Sequence, residues 1–172
     1  MSPCLKWRRR TMLAALVLAV IALTVARPAL AADPAEEKPI LHLENADGSK
    51  VVELSLADLQ ALGRVTFDSS TPWTDGAVRF EGVPLSAVLD TVRGTESRLQ
   101  AAALNDYAIE MPIEEILPFE PVLAWARDGR LMSVRNRGPL WLVFDFDRFP
   151  ETRNETFLAR SIWQLKSLRL QQ

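Results

Sequence analysis

Four arginines, Arg127, Arg130, Arg135 and Arg137, crowd the stretch VLAWARDGRLMSVRNRGPLWLVFDF that runs from Val122 to Phe146. A guanidinium presents a planar fork of donors that matches a phosphate or carboxylate better than an ammonium does. In an extended segment Arg135 and Arg137 project from one face, so the stretch reads either as an anion site or as a solvated loop whose arginines pair with nearby carboxylates. Other chemistry is sparse. His42 is the only histidine and reads as a strand residue, since no cysteine or second histidine accompanies it for metal binding or nucleophilic catalysis. Glu114 and Glu115 are adjacent and diverge on a helical turn, where they favour the dipole instead of forming a catalytic pair. Asp145 and Asp147 share a face if their strand continues, but two carboxylates fall short of a hard-cation site. No catalytic residue and no metal ligand is assigned.

The elements that must position these groups follow from alternation and breakers. Val122 to Arg127 alternates up to Asp128-Gly129, a tight-turn dipeptide, and a return segment Leu131 to Val134 is expected. Gly138-Pro139 interrupts it. Leu140 to Phe146 is apolar at nearly every position and is expected to be a central strand covered on both faces. Earlier in the chain, Ile40 to Leu43 and Val51 to Leu54 flank Asn45-Ala46-Asp47-Gly48 as a hairpin, and Ser55 caps a short helix ended by Gly63. Val65 to Phe67 and Val78 to Phe80 are strands joined by a polar loop carrying Trp73. A helix is expected over Leu85 to Val92. Leu99 to Leu104 and Tyr107 to Met111 surround a turn at Asn105-Asp106, and Pro112 starts a helical turn over Ile113 to Leu117. Phe149 to Thr156 is a loop, with Asn154-Glu155-Thr156 matching a glycosylation sequon; Arg160 to Gln164 reads as a short turn or helix presenting Trp163, and Leu165, Leu168 and Leu170 belong to a last strand. Short strands and helices interleave without the rhythm of a doubly wound sheet, so the class is α+β with strand dominant.

The totals restrict the functions further. Of the 172 residues, the first 31 read as a secretory signal peptide: Lys6, Arg8, Arg9 and Arg10, then an apolar run from Met12 to Ala26, then Ala29-Leu30-Ala31. The run is too short to span a bilayer, and cleavage is expected to leave no stable membrane span. Arg9-Arg10 also resembles a twin-arginine signal, and the export route is left open. Cleavage after Ala31 leaves 15 basic and 22 acidic residues, a charge of −7, which argues against a nucleic-acid binder. The only cysteine, Cys4, lies in that leader. Residues 32–38 read as a flexible leader and 39–172 as a single domain, periplasmic or secreted, large enough for a core of its own.

Taken in order, the pieces from about Val51 to Leu170 resemble the sulfite oxidase-like molybdopterin-binding domain in a small secreted bacterial version. The resemblance rests on Leu56 and Leu59, on the loop ending in Trp73, and on Arg79-Phe80-Glu81-Gly82-Val83-Pro84-Leu85 with Leu89 after it. It continues through Asn105-Asp106-Tyr107-Ala108-Ile109-Glu110-Met111-Pro112, Asp128-Gly129-Arg130-Leu131-Met132, Arg137-Gly138-Pro139-Leu140 and Trp163. It implies a β-rich α+β fold of mixed sheets, and oxidation or reduction of a small substrate at molybdenum held by a pterin dithiolene and one cysteine. The loop where that cysteine belongs offers Asp68, Ser69, Ser70 and Thr71. Arg137 stands where the family has a histidine, and Trp141 where relatives tend to be basic. A neutral hydroxyl does not replace a soft thiolate. The expectation is therefore a degenerate, non-catalytic module that needs no cofactor. Its old pterin cleft, lined by Trp73, Asp106, Tyr107, Arg135, Arg137 and Trp163, would hold a small anionic or aromatic ligand or a periplasmic protein partner. The alternative is a molybdopterin-dependent oxidoreductase with Asp68, Ser69 or Ser70 as an oxygen ligand.

Overall fold

The computed structural model describes residues 38–172. The expected signal peptide, and all of the leader but Lys38, lie outside the described residues. Ten strands form two five-stranded sheets around one hydrophobic cluster to which both contribute.

The first sheet has the order β2-β1-β10-β5-β6. β1 (Pro39–Glu44) and β2 (Val51–Ser55) form the expected hairpin. Its turn is held by the Asn45 side chain, which accepts the Lys50 N–H at 2.9 Å, and by Gly48 at φ 70°. His42 is a strand residue, as read from the sequence, with Nδ1 2.6 Å from Oε1 of its cross-strand partner Glu53. β10 (Leu165–Gln171) runs parallel to β1 and antiparallel to β5 (Arg98–Ala103), so both ends of the described chain meet mid-sheet; β6 (Ala108–Pro112) is the far edge. Helix α1 (Leu56–Leu62) starts with a capping box: the Ser55 hydroxyl accepts the Asp58 N–H and the Asp58 carboxylate accepts the Ser55 N–H.

In the second sheet, β7 (Val122–Arg127) is the centre. It pairs with β4 (Ala77–Pro84) on one side, beyond which lies β3 (Val65–Ser70). On its other side it pairs in succession with β8 (Arg130–Leu131) and β9 (Trp141–Val143). The expected central strand over Leu140 to Phe146 is thus corrected to a short marginal one, joined beyond β7 only by a bridge to Trp163. Its apolar run reports burial, and burial here comes from packing instead of from flanking strands. Leu140 to Phe144 are buried, with Phe144 edge-on to Phe157 of helix α4 (Glu155–Arg160).

The return segment over Leu131 to Val134 also differs. After Leu131 the chain leaves the ladder for a 3-10 turn, Val134–Asn136, and Arg137 is left-handed at φ 69°. A Cβ on Gly138 would lie 1.9 Å from the Met132 carbonyl oxygen, so the chain doubles back where only glycine fits. Arg135 and Arg137 therefore do not share the face of an extended strand. The expected loop over Phe149 to Thr156 contains a 3-10 turn, Pro150–Thr152, and the start of α4, whose N-cap Asn154 accepts the Phe157 N–H at 3.1 Å. The sequon asparagine is a helix cap. Helix α2 stops at Leu89 (Leu85–Leu89), and α3 (Ile113–Ile116) leads into a 3-10 turn, Leu117–Phe119. No helix among the described residues is long and apolar enough to cross a membrane.

Candidate functional site

The loop from Ser70 to Gly76 is anchored from across the chain. The Asp147 carboxylate accepts the Ser70 N–H at 2.7 Å and the Ser70 hydroxyl at 2.8 Å, and Arg153 pairs with the same carboxylate while donating to the Ser70 hydroxyl at 2.7 Å. The Ser70 N–H, then its hydroxyl, then Arg153 hold the Asp147 carboxyl below the usual carboxylate range. Asp145 does not join it as a ligand pair. Its Oδ1 accepts the N–H groups of Asp147 and Arg148 and closes the turn after β9.

Further along, the Thr71 N–H donates to the Thr74 hydroxyl at 3.0 Å, a tight arrangement that sets Trp73 against the sheet. Trp73 lies edge-on to Trp141, with centroids 5.9 Å apart, and to Trp163 at 5.3 Å. Arg137 completes the cluster, its guanidinium carbon 5.5 Å from the Trp141 ring centre and 5.7 Å from that of Trp163. Trp141 Nε1 is buried without a hydrogen-bond partner among the described residues.

Next to this cluster is a cavity of about 230 Å³ lined by Trp73, Asn105, Tyr107, Leu158, Ser161 and Trp163, with small side chains between them. The strand turn at Asn105 brings Tyr107 to its rim, where the phenol donates to the Ala159 carbonyl of α4 at 3.2 Å. A space of this size falls below the roughly 300 to 1,000 Å³ common for drug-sized ligands. It suits a single small ring.

Of the six residues expected to line one cleft, Trp73, Tyr107 and Trp163 meet in this cavity. Arg137 adjoins it through the indole stack and lines a second hollow with Trp73, Arg127 and Asp128. Asp106 is elsewhere: it occupies the left-handed turn position at φ 65°, pairs with Lys166 at 2.7 Å, and is held below the usual carboxylate range by that partner. Arg135 is exposed on its 3-10 turn and does not line the cavity. The wall made by Leu158 of α4 and by Ser161 just past its end is not among the expected lining residues, since the loop expected from the sequence ends at Thr156 and no element is assigned to residues 157–159. The Asn-Glu pair at the start of α4, a capping residue followed by an acid, was the available signal.

The oxygen donors of the β3 end are engaged. Asp68 is gripped by both Arg79 donors at 2.9 and 2.8 Å, Ser69 is buried and accepts the Asp147 N–H at 3.3 Å, and the Thr71 hydroxyl accepts the Trp73 N–H at 3.2 Å. No cysteine occurs among residues 38–172. Among the described residues, no three His, Cys, Asp or Glu side chains gather as a metal site requires.

No family model and no curated protein matches this chain. Among solved structures it is similar to the sulfane dehydrogenase SoxCD from Paracoccus pantotrophus, with a TM-score of 0.56 and 17% identity over 80% of this chain. The match spans 39% of that chain. At such identity the likeness shows the fold alone, and the fold is the one implied by the resemblance: a β-rich, sulfite oxidase-like α+β domain of mixed sheets and short helices.

Proposed function

We propose that this domain is a non-catalytic ligand-binding module on a sulfite oxidase-like scaffold, and that its ligand is a small planar aromatic compound. The observation that carries this is the cavity rimmed by Trp73, Tyr107 and Trp163, whose rings offer edges and faces to one flat guest. The loop that would supply a molybdenum ligand does not fit the metal: it has no thiol, its hydroxyls and Asp68 are committed to other partners, and Trp73 packs against the loop's own sheet. The anionic side of the expected ligand loses support, because Arg135 stands outside the cavity and Arg137 is stacked on Trp141 and Trp163.

Export, a periplasmic location and a protein partner belong to the same proposal. Export and location rest on the basic, apolar and small-residue order of the first 31 residues. Amino-terminal sequencing of the protein recovered from a periplasmic fraction is expected to begin after Ala31.

Indole and benzoate, titrated against the protein by ligand-observed NMR, are the probes for the cavity. Indole is expected to bind, and Tyr107→Ala to weaken it about tenfold by opening the rim, a loss of about 1.4 kcal/mol. Failure of indole to bind would remove the cavity reading. Stoichiometric molybdenum and pterin in protein from a cofactor-competent host, with turnover of a reducible or oxidisable substrate, would restore the oxidoreductase alternative.

A further inference from the structure

The cations of the domain are unevenly partnered. Residues 38–172 contain 15 Lys and Arg against 19 Asp and Glu. Eight of the 15 pair with described carboxylates. Four of the other seven are Arg127, Arg130, Arg135 and Arg137, in one hairpin and the turn after it. Arg137 is occupied by the indole stack. The remaining three have no ion pair among the described residues, although their domain carries an excess of acids that could have supplied one.

These three stand together with exposed apolar groups. Arg127 and Arg130 face each other in register across β7 and β8 and border a hollow of about 350 Å³ with Leu131 and Asn136. Arg135 and Val134 occupy the 3-10 turn that contains Asn136. Leu131 is 64% exposed and Val134 49% exposed, two of only five large apolar side chains in that condition among the described residues. The carboxylate at this tip, Asp128, is occupied in part by the Arg79 N–H at 3.0 Å.

The platform is held in shape from beneath. Met132 is buried and its N–H donates to the Trp125 carbonyl, Gly138 N–H closes onto Ser133, and the Gln164 amide donates to the Val134 carbonyl at 2.7 Å. The backbone that carries Arg135 is thereby tied on both sides of its turn. β8 is also the end of its sheet order.

We propose that Arg127, Arg130 and Arg135, with Leu131 and Val134, form the docking surface for an acidic segment of a partner protein, one in which carboxylates flank an aliphatic residue. The guanidiniums take the carboxylates, and Leu131 and Val134 cover the aliphatic side chain. A polyanionic membrane or nucleic acid fits less well, since the acids on the rest of the domain oppose close approach to a broad negative surface. A protein segment touches only the hairpin.

The test uses the full chain and a fluorescein-labelled peptide alternating Glu and Leu, followed by anisotropy at low and high salt. Arg127→Glu, Arg130→Glu and Arg135→Glu combined are expected to weaken binding at least about tenfold, and high salt to weaken the unmodified protein's binding in the same direction. Lys38→Glu, Lys50→Glu and Arg93→Glu combined impose the same charge change elsewhere and are expected to leave binding nearly unchanged. Leu131→Ser with Val134→Ser is expected to reduce binding of this peptide and spare a peptide of Glu alone. If the charge-reversed protein fails to fold by circular dichroism, the triple Arg→Gln variant reads the same loss. The proposal is overturned if the peptide does not bind, if both triple variants lose affinity equally, or if phosphatidylglycerol vesicles are bound through the same arginines while the peptide is not.

Discussion

Asp147 illustrates how one side chain decides the shape of the site. It sits one turn beyond β9, yet ties down the start of the Trp73 loop through two bonds to Ser70 and an ion pair with Arg153. Because these bonds favour the charged form, the folded pKa is lowered, so the stabilisation is complete above the ordinary carboxylate range and is lost as pH falls through the lowered folded value. Asp147→Asn is expected to cost about 1 kcal/mol at neutral pH, a value at the low end because the carboxylate is partly exposed. Urea denaturation of both proteins should show the gap closing as the pH is taken from about 4 downwards, where the unmodified carboxyl is protonated as well. A gap independent of pH would mean that shape, and not charge, holds the loop. None of this was legible in the chain, where Asp145 and Asp147 merely alternate. Their separate jobs depend on Ser70 and Arg153 arriving from other elements.

At the scale of elements, β4 and β7 approach each other closely at Gly82. Their register shifts between Glu81 and Gly82, and a Cβ on Gly82 would lie 2.2 Å from the Leu123 carbonyl oxygen and 2.7 Å from the Ala124 Cα. Backbone cannot swing aside as a side chain can. Gly82→Ala is therefore expected to lose about 3 kcal/mol or more in equilibrium denaturation, and a loss under about 1 kcal/mol would show that the two strands part readily. Periodicity located most strands here, because alternation and turn residues are local: the hairpin at Asn45 to Gly48, the helix capped by Ser55 and the strand at Val122 all lie where they were expected. It misplaced Leu140 to Phe146. A residue sequence records that such a run is covered, and the cover can be sheet, helix or indole.

For the whole molecule, the question is whether two sheets fold as one unit. Leu168 lies in β10 with Leu43 of β1 on one side and Ala101 of β5 on the other, and it belongs to the cluster that also holds Trp125 and Phe80 of the second sheet. Leu168→Ala is expected to cost about 2 to 5 kcal/mol. Far-UV circular dichroism reports both sheets, whereas Trp73, Trp125 and Trp141 report the second one. With a shared core, the two signals should shift to the same new denaturant midpoint. Separate midpoints would show two cores. The amino-acid order on its own determined the class and the grouping of arginines with aromatics, since composition and nearest-neighbour pattern are properties of the chain. Only the tertiary structure decided that Trp73, Tyr107 and Trp163 line one cavity while Asp106 pairs with Lys166 and Arg135 stands free of it, because side-chain direction is set by turns and by partners far along the sequence.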